Sequence, residues 1–479
     1  MNAPLRRVAI SVLVLFTLLI VNVNYIQVVR ADKLRENASN TRVLAAEYDR
    51  ERGSIVVAGT EVALSVPTEG RLKYLRQYPA KQLYAPVTGY YSLVYNRTGL
   101  ERAENDLLSG SDPRLTLRRL ADLFTGRDPA GGNVELTLDP AVQQAAMTGL
   151  DGVTGAVVAL DPSTGAILGL ASTPTYDPNQ LSSHDPAAIR AYREQLTDDQ
   201  LTNQAISERY EPGSIFKVVV SAAALASGKY TPETPVPAPD LLTLPGTSTT
   251  MKNFGGESCN GGADQPLIDA LTISCNTAFA QLGINLGEQR IRDMAAAFGI
   301  DDKGFEMPLP VAPSKLGDIA NDAQLGISSI GQQDVQLTPM QAAMIAAAVA
   351  NRGALMKPYL VSQVQAPDLT VIDKTNPEKL GQPVSAEVAG QLTKMMTSVV
   401  QSPNGTGRRA RIDGVQIAGK TGTAENSADD HSWFIGFAPA DNPKIAVAVF
   451  VKNGGRTGGD ISAPIARSVI QAYLNGHGG

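Results

Sequence analysis

The sequence predicts an α+β fold in which a mainly antiparallel sheet is flanked by helices. Two apolar, β-branched hairpins support this class: "GAVVALDPSTGAILGLAS" opens the region from about 155 to 475, and "SWFIGFAPADNPKIAVAVFVKN" lies near its end. The chain between them is mostly helical, and "APIARSVIQAYLNG" closes it as an amphipathic helix. Strands at both ends with helices between them indicate one large domain.

The first element is an apolar segment at the N-terminus. No charge interrupts Val8 to Val29, and at about 1.5 Å per residue this stretch spans about 33 Å, enough for a bilayer core. No A-x-A cleavage pattern follows it, which favours an uncleaved anchor over a signal peptide. Basic residues flank the segment on both sides, so the positive-inside count does not decide its orientation. We assign residues 1–30 to a cytoplasmic tip and a transmembrane anchor.

The rest of the chain divides into two predicted domains. With 479 residues, of which 18% are charged, it is a globular protein, and its net charge of −6 leaves no basic footprint for nucleic acid. Residues 31–150 contain short strand-like pieces, a polar helical piece "DPRLTLRRLADLF", and a strand followed by a helix with Pro140 at its first position. No catalytic constellation occurs there, so we predict a non-catalytic domain over 31–150 and a catalytic domain over 151–479.

A nucleophile and a base are candidates within "YEPGSIFKVVVSAAALASG". Pro212 and Gly213 precede an apolar run that ends at Gly228, so Ser214 lies in the first turn of a buried helix. Lys217, three residues later, shares its face at about 5–6 Å. A lysine can take the serine proton only when burial or nearby positive charge lowers its pKa. The simpler alternative is a capping serine beside a surface lysine, because S-x-x-K is a short and common pattern.

The segment "GVQIAGKTGTAEN" indicates a strand edge that a substrate can approach closely. Gly422 has no side chain, so a peptide-like substrate could lie against the strand and extend the sheet. Lys420, Thr421 and Thr423 supply donors suited to a carboxylate, and a backbone N–H of the strand could form an oxyanion hole with the N–H of Ser214. A β-bulge with a surface lysine is the alternative.

These motifs carry a resemblance to a known family. S-x-x-K, S-x-N and K-T-G in this order are the motif set of penicillin-binding proteins and class A β-lactamases, and from about Gly155 onward the sequence resembles the penicillin-binding protein transpeptidases. A single anchor with one short upstream region resembles class B, most of all the compact actinobacterial penicillin-binding protein A group. "RERGSIVVAG" looks like the segment that opens the non-catalytic pedestal of that class, although the turn after it departs from the usual pattern. The resemblance implies the fold shared with serine β-lactamases.

Three triplets fit the S-x-N motif, at 258–260, 274–276 and 402–404. The first lies among glycines and the third in a loop, whereas apolar helical stretches hold the second on both sides. A proton relay must be held rigidly, so we choose Ser274 and Asn276.

Both cysteines of the chain, Cys259 and Cys275, lie in Ser-Cys-Asn triplets. Their number and spacing match neither a zinc site nor a C-x-x-C redox centre. Two buried thiols and a disulfide both remain open, and we expect the disulfide because an exported domain meets an oxidising compartment.

The resemblance also implies a role for each candidate. Ser214 would attack the carbonyl of a D-Ala-D-Ala stem peptide and Lys217 would accept its proton. Ser274, beside Lys420, would relay a proton to the departing D-Ala, while Asn276 would hydrogen-bond the acyl chain and Lys217. The two threonines of the K-T-G-T strand would grip the terminal carboxylate. β-Lactams would mimic the donor peptide and stall at the acyl stage, and no metal or cofactor is required.

The resemblance further implies a crosslinking transpeptidase outside the cell membrane, working with a polytopic glycosyltransferase of the wall-synthesis machinery. One alternative is a D,D-carboxypeptidase or β-lactamase-like hydrolase, in which water resolves the acyl-enzyme; the E-x-x-L-N glutamate of class A β-lactamases has no convincing counterpart here. The other alternative is a non-catalytic scaffold for wall synthesis, which the complete motif set argues against.

Overall fold

The computed structural model describes residues 2–30, 47–116 and 130–477. Its first element is helix α1 (Asn2–Asn24), which continues as a π-helical turn over Tyr25–Val29. Within the described residues one helix, Pro4–Val29, is long and apolar enough to cross a membrane, and its apolar side chains are exposed. Exposed apolar side chains over this length fit a single-pass membrane anchor.

Two large sheets organise the rest of the described chain. Their strands, in chain order, are β1 (Ile55–Val57), β2 (Thr60–Pro67), β3 (Tyr74–Gln77), β4 (Asn133–Leu136), β5 (Gly155–Leu160), β6 (Ile167–Thr173), β7 (Val361–Gln365), β8 (Val371–Lys374), β9 (Ala418–Ala424), β10 (His431–Ala438) and β11 (Ile445–Val451). Two-residue and three-residue strands form small pairs beside them: Tyr91–Ser92 with Asn96–Arg97, Pro235–Val236 with Gln265–Pro266, Leu241–Thr243 with Thr250–Lys252, Phe305–Glu306 with Pro310–Val311, and Leu355–Met356 with Lys379–Gly381.

The five-stranded sheet has the order β9-β10-β11-β5-β6, and each neighbouring pair is antiparallel. Strands β5 and β11 are completely buried, which explains why they are apolar throughout rather than alternating with polar residues. Side chains nevertheless alternate between two cores: Val447 and Val449 enter one, whereas Ala446 and Ala448 enter the other. The two predicted hairpins, β5–β6 and β10–β11, therefore supply four of the five strands, and the antiparallel sheet is confirmed.

The helices, in chain order after α1, are α2 (Ala85–Thr88), α3 (Gly99–Ala103), α4 (Asn105–Leu108), α5 (Pro140–Gly149), α6 (Pro178–Leu181), α7 (Pro186–Arg193), α8 (Asp198–Leu201), α9 (Lys217–Ala226), α10 (Leu267–Thr272), α11 (Asn276–Leu286), α12 (Glu288–Ala297), α13 (Asp322–Ser328), α14 (Pro339–Ala350), α15 (Ala386–Gln401) and α16 (Ser462–His477). Turns of 3-10 helix cover Lys81–Leu83, Pro113–Leu115, Gly213–Phe216, Phe254–Gly256 and Arg408–Ala410. Of the helical piece predicted over 112–124, Pro113–Leu115 forms a 3-10 turn, and the part from 117 lies outside the described residues.

Helices cover both faces of the five-stranded sheet. Helix α14, buried along its whole length, packs on β10, β11 and β5, while α16 and α5 pack together on the other side. Helix α5 begins at Pro140, as the sequence predicts, and Asp139 caps it, because its carboxylate accepts from the N–H groups of Ala141 and Val142 at 2.8 and 2.9 Å. The layered arrangement holds β9, the strand with the K-T-G sequence, at one edge of the sheet.

The six-stranded sheet, which we call the pedestal sheet, has the order β8-β7-β4-β1-β2-β3. Strands β1 and β4 are parallel and the other neighbours are antiparallel. Two of its strands, β7 and β8, come from the second half of the chain. The pedestal sheet is therefore built from segments that lie far apart in sequence.

A buried ion triad joins strand β3, through Arg76, to helix α3, through Glu101, and to Arg52 before β1. The carboxylate of Glu101 forms ion pairs with the Nε atoms of Arg52 and Arg76, at 2.6 Å each, and all three side chains are almost fully buried. Tyr78 also donates to Glu101 at 3.1 Å. The two guanidinium groups overcome the cost of burial and hold the pKa of Glu101 below its ordinary value.

Candidate active site

The S-x-x-K, S-x-N and K-T-G sequences meet at one cleft of about 930 Å³. Ser214, Ser274, Asn276, Thr421 and Thr423 line it. The apolar wall of the cleft consists mainly of Leu244, Met251, Phe254, Ile273, Ile327 and Ile330. The structure therefore brings together residues from three distant parts of the chain.

Ser214 lies on the 3-10 turn Gly213–Phe216, directly before α9. The turn begins with Gly213 at φ +54°, a conformation that suits glycine. Gly213 donates its N–H to the carbonyl of Gly331 at 2.9 Å. A Cβ on Gly331 would lie 2.0 Å from the carbonyl oxygen of Gly213, so this contact requires a glycine at position 331.

The same turn lies against strand β9. A Cβ on Gly213 would be 2.4 Å from the carbonyl oxygen of Thr423, and a Cβ on Gly422 would be 2.7 Å from that of Pro212. Trp433 on β10 fixes the chain before the turn by donating its Nε1–H to the carbonyl of Glu211 at 2.9 Å. Gly422 thus serves close packing of the nucleophile turn, a role that the sequence did not reveal.

Lys217 begins α9 and is fully buried. Its Nζ donates to Oδ1 of Asn276 at 2.7 Å and to the carbonyl oxygen of Ser274 at 2.8 Å, and lies 3.3 Å from Oγ of Ser274. Burial and the nearby charge of Lys420 lower the pKa of Lys217 well below its ordinary value. A lowered pKa makes the neutral, proton-accepting form of Lys217 more accessible than that of an ordinary lysine.

Lys420 also contacts the hydroxyl of Ser274. Its Nζ donates to Oγ of Ser274 at 2.8 Å and to the carbonyl oxygen of Thr421 at 2.9 Å. Burial lowers the pKa of Lys420 to about 7. Ser274 therefore bridges two buried amines, which is the geometry that a proton relay requires.

The S-x-N turn is held in an unusual backbone conformation. Ser274 has φ +63°, a left-handed conformation that is rare for a residue with a Cβ. Cys275, the middle residue, forms a disulfide with Cys259, and the two Cα atoms are 5.9 Å apart. The predicted disulfide is present, and it attaches the segment containing Cys259 to the S-x-N turn.

The other two S-x-N triplets do not reach the lysines. Ser258 lines the rim of the cleft, while Asn260 is exposed and donates to the carbonyl of Asp264 at 2.8 Å. Ser402 follows the end of α15, and Asn404 is exposed. The second triplet thus differs from the two loop copies because it is packed between α10 and α11.

Thr406 is a site residue that the sequence reasoning missed. Its Oγ1 lies 2.6 Å from Oγ1 of Thr421, and both residues line the cleft. The hydroxyl of Thr423 lies 3.5 Å from the backbone N–H of Gly458. The only local signal for Thr406 is its place between two glycines in "NGTGRR", a pattern that is typical of any loop.

Among the described residues, no group of three or more His, Cys, Asp or Glu side chains is arranged to hold a metal ion. His431, which is close to the cleft, has hydrogen-bond partners: the backbone N–H of Asn453 donates to its Nδ1 at 3.1 Å, and Asn426 lies 3.1 Å from the same atom. Burial lowers the pKa of His431, as expected for a neutral ring that accepts hydrogen bonds.

Comparison with known proteins identifies relatives over the whole length. A family model described as the penicillin binding protein transpeptidase domain matches residues 155–471, and one described as the penicillin binding protein A dimerisation domain matches residues 52–134. The peptidoglycan D,D-transpeptidase PbpA of Mycolicibacterium smegmatis is 50% identical over 491 residues, which cover 99% of each chain. The protein of the same name from Mycobacterium tuberculosis is 49% identical over 493 residues, covering 99% of this chain and 100% of the relative.

Solved structures agree with the fold. Penicillin-binding protein A from M. tuberculosis, as its imipenem acyl-enzyme complex, superposes with a TM-score of 0.87 at 48% identity, covering 90% of this chain and 100% of that one. Its penicillin G acyl-enzyme complex gives a TM-score of 0.85 at 48% identity, covering 89% and 100%. The resemblance predicted from the motifs is confirmed, and the chain belongs to the penicillin-binding protein transpeptidase family.

Proposed function

We propose that this chain is a peptidoglycan D,D-transpeptidase, which forms an acyl-enzyme at Ser214 from a D-Ala-D-Ala stem peptide and passes the acyl group to the amine of a second stem peptide. One observation carries the assignment: the hydroxyl of Ser274 contacts the amines of both Lys217 and Lys420, in the cleft that Ser214 also lines. Relatives that match the full length carry the same activity in their names, and the solved relatives form acyl-enzymes with β-lactams. β-Lactams are therefore inhibitors of this chain.

In the first step Lys217 acts as the general base. Its lowered pKa favours the neutral amine, which accepts the proton of Ser214 as Oγ bonds to the carbonyl carbon. The N–H of Ser214 and a backbone N–H of β9 stabilise the oxyanion, because the nucleophile turn lies against that strand. Asn276 holds the amine of Lys217 in place through its 2.7 Å hydrogen bond.

The second step expels D-Ala. The C–N bond breaks, and the leaving amine takes a proton from Oγ of Ser274, which Lys420 and Lys217 replenish through their contacts. The hydroxyls of Thr421 and Thr423 hold the terminal carboxylate of the donor, with Thr406 orienting Thr421. Attack by the acceptor amine then reverses these proton transfers and releases the crosslinked peptide.

The anchor places this chemistry at a membrane. We propose that the described region from residue 47 onward is extracytoplasmic, since stem peptides and an oxidising compartment suited to the Cys259–Cys275 disulfide are found there. The donor stem peptides are attached to glycan chains. A polytopic glycosyltransferase, which makes such chains, is therefore the expected membrane partner. Co-purification of the two proteins in detergent tests this partnership.

The decisive experiment is intact-mass spectrometry of the full chain in detergent, incubated with penicillin and followed over hours. A stable adduct of one drug per chain, mapped to Ser214 and absent in Ser214→Ala, supports the transpeptidase with slow deacylation. Fast loss of the adduct indicates a hydrolase. Absence of any adduct contradicts the proposed mechanism and leaves the non-catalytic scaffold.

A further inference from the structure

Asn253 is a buried polar residue that the mechanism above does not use. It follows the short strand Thr250–Lys252, lines the cleft and is only 8% exposed. Its Oδ1 accepts from the backbone N–H groups of Asn276 and Thr277 at 2.9 and 3.1 Å, and from Oγ1 of Thr277 at 3.3 Å. Its Nδ2 donates to the carbonyl of Glu257 at 3.2 Å.

These contacts make Asn253 the cap of helix α11. The residue at the N-cap position, Cys275, makes no side-chain capping hydrogen bond, so the first N–H groups of α11 depend on a side chain from another segment. Asn is among the best residues for this purpose, because its amide oxygen accepts from the N–H groups of the first turn. The sequence does not reveal this cap, because Asn253 and α11 are separated in the chain by the whole of α10.

Asn276, whose backbone N–H Asn253 caps, is also the residue that hydrogen-bonds the general base Lys217. Asn276 is the first residue of α11, and its Oδ1 accepts from Nζ of Lys217 at 2.7 Å. The turn before it carries Ser274 in the left-handed conformation, which the surrounding structure must maintain. Fixing the backbone N–H of Asn276 therefore fixes both the side chain that orients Lys217 and the turn that carries the relay.

We propose that Asn253 is a positioning residue for acyl transfer: by capping α11 it aligns Asn276, and through Asn276 the amine of Lys217, with Ser214. This inference rests on the proposed transpeptidase function. A purely structural cap would lower the stability of the protein and leave its acylation kinetics unchanged at temperatures where it is folded. A positioning cap changes the rate constant of acylation itself.

The test measures acylation of the full chain in detergent by a fluorescent penicillin, separating the binding constant from the acylation rate constant. We expect Asn253→Ala to reduce the rate constant by about tenfold with little change in binding, as the loss of one cap would allow. Asn253→Asp keeps the acceptor oxygen, so at its own pH optimum it should return to within about threefold of the unmodified chain. Thermal unfolding confirms that each variant is folded at the assay temperature.

A double-mutant cycle with Asn276→Ala tests whether Asn253 affects acylation through Asn276. If Asn253 acts through Asn276, the double variant acylates about as fast as Asn276→Ala alone. The matched control is Asn260→Ala, which removes an exposed asparagine of the same segment whose side chain bonds only to Asp264 among the hydrogen bonds of the described residues, and its kinetics should equal those of the unmodified chain.

The outcomes separate this inference from the function on which it rests. An unmodified chain that penicillin never acylates refutes the proposed function. An unmodified chain that is acylated normally, with Asn253→Ala acylated at the same rate, refutes the positioning role alone. Effects of Asn253→Ala and Asn276→Ala that simply add would also refute it, because they would show that the two residues act independently.

Discussion

The Nζ atom of Lys420 lies 2.8 Å from the Oγ atom of Ser274, and this contact joins the K-T-G strand to the S-x-N turn. Because the Nζ atom of Lys217 lies 3.3 Å from the same oxygen, a single hydroxyl connects two buried amines whose pKa values are both lowered. The protonation states of the two lysines are therefore coupled, and the pH dependence of acylation should reveal both.

The acylation efficiency with penicillin should follow a bell-shaped pH profile. It rises as Lys217 loses its proton and becomes a base, and it falls above a pH of about 7 as Lys420 loses the charge that attracts the carboxylate of the drug. Stopped-flow acylation of the full chain between pH 5 and 10 measures both limbs. Lys420→Arg keeps its charge throughout this range and should lack the falling limb, whereas a profile that only rises near pH 10 would contradict the lowered pKa values.

Lys420 should reduce the stability of the protein at neutral pH. An unfolded lysine titrates near 10.4, so between about pH 7 and 10 the unfolded chain binds more protons than the folded chain, and stability rises with pH across this window. Lys420→Met removes the penalty and two hydrogen bonds, and we expect a gain of about 1–3 kcal/mol at pH 7 together with loss of acylation.

Thermal unfolding at pH 7 and pH 9 checks this expectation. The gain should shrink at the higher pH, since the folded and unfolded lysines then differ less in charge. Lys229→Met, which changes an exposed lysine, is the matched control and should alter Tm at neither pH. A lower Tm for Lys420→Met at pH 7 would show that its hydrogen bonds outweigh the cost of burial.

Thr406→Val should weaken binding of the donor carboxylate. The variant loses the hydroxyl that lies 2.6 Å from that of Thr421, so the Thr421 hydroxyl is no longer oriented. One such hydrogen bond contributes about 1 kcal/mol, and we expect the acylation efficiency to fall about fivefold, mainly through weaker binding. Thr406→Ser keeps the hydroxyl and should stay close to the unmodified chain; equal losses in both variants would assign the effect to packing.

Removing the disulfide should slow acylation. The bridge attaches Cys259 to the middle of the S-x-N turn, and a loop of its length stabilises a protein by about 3 kcal/mol in the chain-entropy account. Reduction of the native chain and the double substitution Cys259→Ser with Cys275→Ser should both lower Tm and reduce the acylation rate. Reductant should not affect the double variant further, and an unchanged rate after complete reduction would rule out the tether as a support for the turn.

Sequence patterns predicted the local elements well for identifiable reasons. The hairpins β5–β6 and β10–β11 and the start of α5 at Pro140 each depend on neighbours within a few residues. The choice of Ser274 and Asn276 over two loop copies also depended on local apolar packing, and the structure brings this pair to the two lysines.

Contacts between distant segments could not be predicted in this way. Thr406 meets Thr421, Gly331 meets Gly213, and Asn253 caps α11, yet none of these residues carries a pattern that names its partner. Each contact is produced by the packing of helices and strands whose relative placement is not encoded in any single window. The same limit applies to β7 and β8, whose position in the pedestal sheet cannot be inferred from their short polar sequences.

The hairpin β7–β8, from the second half of the chain, completes the pedestal sheet, and this has a consequence for biosynthesis. Synthesis starts at the N-terminus, so β1 and β4 can form early. The edge of β4 then stays unpaired until Val361–Gln365 has been synthesised and pairs with it. An unpaired edge is a site where other chains add strands. Premature termination anywhere between these segments would therefore produce a protein with an intact anchor and an aggregation-prone first domain, so completion of the catalytic half protects the region that was synthesised before it.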